Sequence, residues 1–334
     1  MIRAYVKAQL SAIRLNGLHG IHLSPPSGFL RGIDVLGEPL FNQIVLSCRQ
    51  YCKTHDRLPD LVSPRTFTEK QLLFKFFGPV AQQYCPSDKL RSVAFALRSV
   101  CGLFQIPNRP FIMDAPTLPD NGAVPPGPWF FKSNHGSGTN QRIFYPLSSD
   151  DRATLQETAR DWLTKTHGQK MSLWWYGMMP RNVYLEQDLG NLNRDAPDWK
   201  FFVFNGKVEI FQVDVDRSGD HVQTIYDRNG KFLNTTLYYK SGPPVPMPDD
   251  LDVMIRIAEG IGRNFDFIRV DMFRHDGAII LGEIGLVPNG ASSSVKDFAL
   301  DLRLGLAWRA PWMGKVLPGY PAGHYGRLEL SDIE

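Results

Sequence analysis

No stretch of this 334-residue chain approaches the roughly 18 consecutive apolar residues a bilayer-spanning helix needs, so no integral membrane segment is expected. Charge of one sign is also missing. Lys and Arg number 37 against 34 acids, a net of +3, and no basic block is gathered anywhere, which removes the usual footprint of a nucleic-acid binder. The four cysteines, Cys48, Cys52, Cys85 and Cys101, have no zinc-finger spacing with histidine and read as buried free thiols in a reducing cytoplasm. The eight histidines form no H-x-H or H-E-x-x-H cluster, which disfavours a metallohydrolase. No G-x-S-x-G elbow is present, which disfavours a serine hydrolase.

What remains has the composition of a globular protein, 43% apolar and rich in phenylalanine, and it is long enough for two or three subdomains. The N-terminal stretch carries charges through its apolar positions. It reads as an amphipathic helix rather than a signal-peptide core. Helical spacing recurs over Phe41–Lys53, Thr68–Phe77 and Asp88–Phe104, and Thr66 with Glu69 forms a capping-box signature that would leave Glu69 and Lys70 exposed. Further helices are expected over Asp151–Leu163, Asp249–Asn264 and Lys296–Trp308.

The most informative segment is Pro128–Gln141, PWFFKSNHGSGTNQ. An apolar run ends on Lys132, and a second, Ile143-Phe144-Tyr145, follows the small residues between. Strand, flexible loop, strand is the expectation. Gly136, Ser137 and Gly138 let the backbone turn its N–H groups toward an anion, with a cation fixed at the entrance and His135 inside the loop. A phosphate cradle fits, and so does a plain hairpin with a surface lysine. A Walker loop does not fit, because the lysine precedes the glycines and no helix follows them.

Two further hairpins are written in turn chemistry. Asn205-Gly206 joins Phe201–Phe204 to Val208–Val213, with Lys200 opening the first strand and Arg217 following the second. Asp276-Gly277 joins the two halves of Phe267–Gly285. This second hairpin brings Asp271 near Glu283, and two adjacent carboxylates call for a cation such as Mg²⁺ shared with phosphates. Upstream, Asn182–Asp188 is a short apolar run ending in Glu186, Gln187 and Asp188.

In this order, the lysine strand with its glycine-rich loop, the acidic strand end, the basic strand and the Asp…Glu hairpin resemble the ATP-grasp superfamily, and more closely its TupA-like members. The family-like segments also include Pro64–Lys70, Asp88-Lys89 and Asp214–Arg217. The resemblance implies an α+β ATP-grasp fold, two lobes clasping ATP. The parts would be a mainly helical region over residues 1–87, a first lobe over 88–188 and a second over 189–334. It implies that Lys89 and Lys132 contact the nucleotide phosphates, that the Gly136–Gly138 loop covers them, and that Glu186 to Asp188 form the hinge reading adenine and ribose. Lys200 and Arg217 would face the transferring phosphoryl group, and Asp271 and Glu283 would hold the metal. One departure stands out: Glu283-Ile284-Gly285 has glycine where many members carry a metal-binding asparagine.

The implied activity is ligation of a carboxylate to an amine through an acyl phosphate. The acid would belong to a uronic acid or peptide and the amine to an amino acid, in polysaccharide or peptide biosynthesis in the cytoplasm. A small-molecule kinase and a nucleotide binder without turnover use the same apparatus.

Overall fold

The computed structural model describes residues 1–15, 40–78, 87–165, 167–189, 197–216, 219–291 and 295–313. Two antiparallel sheets organise the chain. The first has the order β1-β4-β2-β3, built from β1 (Phe111–Met113), β2 (Gly127–Ser133), β3 (Asn140–Tyr145) and β4 (Val183–Gln187). Alternation along β2 sends Trp129 and Phe131 to one face, where they meet Ile143, Val183 and Leu185 of the sheet and Leu155 and Ala159 of a covering helix, Ser149–Thr164. Phe131 stacks on Trp162 of that helix with ring centroids 5.2 Å apart. The period of two then places Phe130 and Lys132 on the opposite face, beside Tyr184 and Glu186.

The second sheet has the order β10-β9-β5-β6-β7-β8. Its strands are β5 (Asp198–Phe204), β6 (Lys207–Val215), β7 (Val222–Asp227), β8 (Phe232–Leu233), β9 (Phe267–His275) and β10 (Ala278–Gly285). Both expected turns close it. Asn205 and Gly206 have φ of 48° and 79°, and Asp276 and Gly277 have 48° and 78°, the left-handed pairs a two-residue hairpin requires. Helix Leu251–Gly262 covers one face with Met254, Ile257, Ala258 and Ile261. Its Gly262 lies so close that a Cβ would fall 2.5 Å from Val203.

The other face divides along its length. At one end Phe202, Phe204 and Phe267 pack on Phe67 and Trp308, with Phe67 and Phe267 centroids 4.8 Å apart. Phe67 opens the helix Phe67–Phe77, and Trp308 caps the helix Phe298–Ala307. Further along the same face the residues become polar: Lys200, Asp271, Gln212 and Asp214.

Helices Ile2–Leu15, Leu40–His55 and Phe67–Phe77 make the N-terminal region helical, as expected. The capping box of Thr66 and Glu69 is formed, but the exposed pair is corrected: Glu69 is 3% and Lys70 1% exposed. The reason is that Phe67–Phe77 is a central helix, buried on all sides. Lys70 Nζ donates to the carbonyls of Gly305 and Trp308 at 2.6 and 2.7 Å, closing the end of the Phe298–Ala307 helix. The expected helix Asp88–Phe104 shortens to Arg91–Ser99. Tertiary pairing takes the rest: Gln105 bonds to Ile279 and Leu281 at the edge of β10.

Candidate active site

The polar face of the first sheet carries one end of the site. Lys132 Nζ pairs with Glu186 Oε1, and Arg109 Nε donates to Glu186 Oε2 at 2.7 Å. Burial opposes the charge of Glu186, but Lys132 and Arg109 outweigh it and hold the carboxyl below its usual range. Arg109 also donates to the Lys89 carbonyl at 2.9 Å. The two expected phosphate-facing lysines are thereby tied into one network. Lys89 Nζ in turn donates to the carbonyl of Gly136 at 2.6 Å, so it grips the glycine-rich loop directly. Burial pushes the Lys89 ammonium down from its ordinary value, and Glu283 is the carboxylate that most opposes the shift. Glu283 belongs to β10 of the second sheet.

The loop is bound to the protein on several sides. Ser133 Oγ and Thr139 Oγ1 bond across its neck at 2.6 Å. Gly136 has φ of 109° and Gly138 of 75°, conformations for which glycine is suited. Ser137 and Gly138 are exposed. His135 takes no part in the cradle's open side. Its ring nitrogens lie 2.9 Å from the Trp162 carbonyl and 3.1 Å from Asn134 Oδ1, and the residue is buried, which is the turn-filling role. The imidazole at the loop is His167, whose Nε2 accepts the Ser137 N–H at 2.9 Å. Nothing in the sequence pattern marks His167 or Arg109.

The acidic strand end also differs in detail from a free ribose-reading edge. Glu186 is held by the two cations, and Asp188 accepts from Arg142 at 2.6 Å. Gln187 is exposed, and its backbone N–H goes to the Asn108 carbonyl at 2.9 Å.

On the second sheet, register makes the remainder of the site. Lys200 stands opposite Asp271, and Asp271 opposite Glu283, with a bulge at Gly282. Lys200 Nζ pairs with Asp198 and lies 3.4 Å from both Asp214 and Asp271. Burial works against its charge, yet Asp198, Asp271 and Asp214 together raise its pKa above the lysine range. Arg269, two residues before Asp271 on the same face, clamps that carboxylate with two bonds of 2.7 Å. A Cβ at Gly285 would lie 3.3 Å from the Arg269 guanidinium. The space above Gly285 is therefore taken by an arginine. Arg217 lies outside the described residues.

The donor set bears on a metal. No group of three or more His, Cys, Asp or Glu among the described residues is placed to hold a metal ion, Asp198, Asp214 and Asp271 being gathered instead on the Lys200 ammonium. Glu283 makes no hydrogen bond or ion pair among them, and Asp271 already has Arg269 and Lys200. One open carboxylate with a second beside it fits a hard cation shared with phosphate oxygens, since Mg²⁺ commonly takes one or two carboxylates from the protein. A separate cavity of about 360 Å³ lies at the other end of the sheet, where Arg228 and Glu259 neutralise one another at 2.9 Å.

Comparison with the curated proteins gave no match. Among solved structures the chain is similar to the ATP-grasp ligase PsnB in complex with a minimal precursor, at 12% identity and a TM-score of 0.38, covering 72% of this chain and 62% of that one. It is similar to D-alanine–D-alanine ligase from Bacillus anthracis at 14% identity and a TM-score of 0.40, covering 70% and 66%. It is also similar to the macrocyclase MdnC from Microcystis aeruginosa MRC, bound to precursor peptide MdnA, at 12% identity and a TM-score of 0.32, covering 62% and 55%. The chain thus spans under two thirds of the length of these relatives. The family description TupA-like ATPgrasp matches residues 126–308, more than half of the chain. That interval begins just before β2 and ends at the cap of Phe298–Ala307, and so takes in the glycine-rich loop, both sheets' polar faces and the Asp271–Glu283 hairpin. The chain belongs to the TupA-like ATP-grasp family.

Proposed function

We propose that the protein is an ATP-dependent ligase joining a carboxylate to an amine. The single observation that supports this reading is the register of the second sheet, which sets Lys200 opposite Asp271 and Asp271 opposite Glu283 with Arg269 on the same face. In this reading that charged face stabilises the transferring phosphoryl group, while Lys89, Lys132 and the glycine-rich loop hold the nucleotide phosphates.

A carboxylate oxygen would attack the γ-phosphorus of ATP, forming an acyl phosphate and releasing ADP. An amine nitrogen would then attack the acyl carbon, an amide forming as inorganic phosphate leaves and the nitrogen gives up its proton. Lys132 and Lys89 supply positive charge to the nucleotide phosphates, and the amides of the Gly136–Gly138 loop cover them. Lys200 and Arg269 offer donors where charge develops during transfer, in a buried setting where such donors act strongly. Mg²⁺, held by Glu283 with Asp271 beside it, would screen the phosphate oxygens from one another. Closure of the loop would keep water from the acyl phosphate.

Product analysis tests the reading. ADP and inorganic phosphate should appear together only when acid and amine are both supplied. ADP with a phosphorylated acceptor would make the protein a kinase. ATP binding without turnover, across a panel of acids and amines, would make it a nucleotide binder in which Arg269 over Gly285 has displaced the catalytic metal geometry.

A further inference from the structure

The exposed amide at the tip of the glycine-rich loop already has an acceptor. Ser137 N–H donates to His167 Nε2 at 2.9 Å. Gly136 makes the approach possible: a Cβ there would fall 2.7 Å from Cγ of the imidazole, in a backbone conformation of φ 109°. Tyr176, on the short turn Trp174–Met178, meets the same ring edge-on with centroids 5.2 Å apart. Loop and ring are therefore fitted to one another. An imidazole nitrogen that accepts an N–H carries a lone pair and no proton. Its surroundings favour that form. Burial and the cations Lys89 and Lys165 lower the His167 pKa. The other titratable groups at the ring are His135 and Tyr176, neither of them an anion at neutral pH.

We propose that His167 is the dock of the glycine-rich loop, and that it yields the Ser137 N–H to a nucleotide phosphate while taking up a proton from solvent. A phosphate oxygen is a charged acceptor and outcompetes a neutral imidazole for the same N–H. The freed nitrogen then sits beside an anion, which favours its protonated form, and imidazolium can donate to the phosphate in turn. His167 thus positions the loop before binding and contacts the phosphate after it. The second half rests on the nucleotide reading of the loop, and the first does not.

Amide hydrogen exchange at Ser137, measured on the full chain without nucleotide, tests the dock. His167→Ala should speed exchange by about three- to tenfold, the loss of one hydrogen bond. His167→Gln, whose side-chain oxygen still accepts, should restore the slow rate. Equal exchange in wild type and His167→Ala overturns the dock, and His167→Leu replaces the alanine variant if that fails to fold. Calorimetry of ADP with magnesium near pH 7, in buffers of different ionisation enthalpy, tests the proton. Wild type should take up protons beyond what His167→Gln does, and equal uptake overturns the hand-over. A protein that binds no ADP overturns the hand-over together with the ligase reading, and the exchange result then judges the dock alone.

Discussion

Asp271 and Glu283 face each other across β9 and β10, yet among the described residues only Asp271 is bonded by a neighbouring cation. Asp271 is clamped by Arg269 at 2.7 Å and approached by Lys200 at 3.4 Å, whereas Glu283 has neither hydrogen bond nor ion pair among the described residues. This asymmetry divides the pair into a carboxylate built into the fold and one left open for chemistry.

The clamped half predicts a stability loss. Arg269→Met removes both bonds to a buried carboxylate, leaving Lys200 already shared with Asp198 and Asp214. Breaking a buried pair from one side commonly costs on the order of 3 kcal/mol. Urea denaturation should show it as a lower midpoint with an unchanged slope. An unaltered midpoint would mean that the partners Asp271 keeps, Lys200 among them, suffice for it.

Lys132→Met should do two things. ATP affinity should fall by roughly 1.5–3 kcal/mol, the range for a lost charge-assisted bond. Stability should fall as well, by about 1 kcal/mol, because Glu186 is buried and loses one of the two ion pairs it makes among the described residues, keeping that with Arg109. From sequence alone this lysine has no anion to pair with before nucleotide binds, and the structure supplies one, Glu186, on the neighbouring strand. Calorimetric titration and denaturation of the same variant separate the effects. Nucleotide affinity equal to wild type would show the glycine-rich segment to be a plain hairpin.

How much of this was legible follows from where each residue sits. Asn205-Gly206 and Asp276-Gly277 are local turn chemistry, and the hairpins they close could be read directly. Register then fixes Asp271 against Glu283. The arginine clamp was written as R-V-D, since residues two apart on a strand share a face, but the pattern does not say which carboxylate the guanidinium takes. Arg109 and His167 come from segments without periodicity, and only the tertiary fold brings them to Lys132 and Ser137. Burial misled in the same way. Glu69 and Lys70 look like a surface capping pair until a second helix closes over them, and Asp88–Phe104 looks helical until Gln105 finds a strand to bond.

Asp301 gives a pH prediction free of the active site. It accepts from the Thr68 N–H and hydroxyl, both at 2.9 Å, with Arg57 at 3.7 Å. Burial is the main influence and raises its pKa to about 7. The folded form therefore holds a proton that the unfolded form has lost between the ordinary carboxylate value and about 7. In that window stability falls as the pH rises, and the penalty is fully present above it. Asp301→Asn keeps the acceptor and removes the titration. Melting temperatures from pH 5 to 8 should decline more steeply in wild type than in the variant. Parallel curves would show that the carboxylate is charged throughout.

The open half of the pair decides between enzyme and binder. Glu283→Gln keeps the shape and removes one charge. Because Glu283 makes no hydrogen bond or ion pair among the described residues, the variant should be close to wild type in stability, the lost attraction to Lys89 and Arg269 being offset as repulsion with Asp271 is relieved. If Glu283 holds Mg²⁺ against the nucleotide phosphates, turnover should drop on the order of a hundredfold or more, as the loss of a preorganised electrostatic contact does. Nucleotide affinity should then depend less on magnesium concentration than in wild type. Lower activity at near-equal stability is what a functional carboxylate gives, because losing its charge costs the substrate complex more than the free fold. A Glu283→Gln protein that melts early, yet turns over ATP normally per folded molecule, would assign Glu283 to the fold and return the metal to other residues.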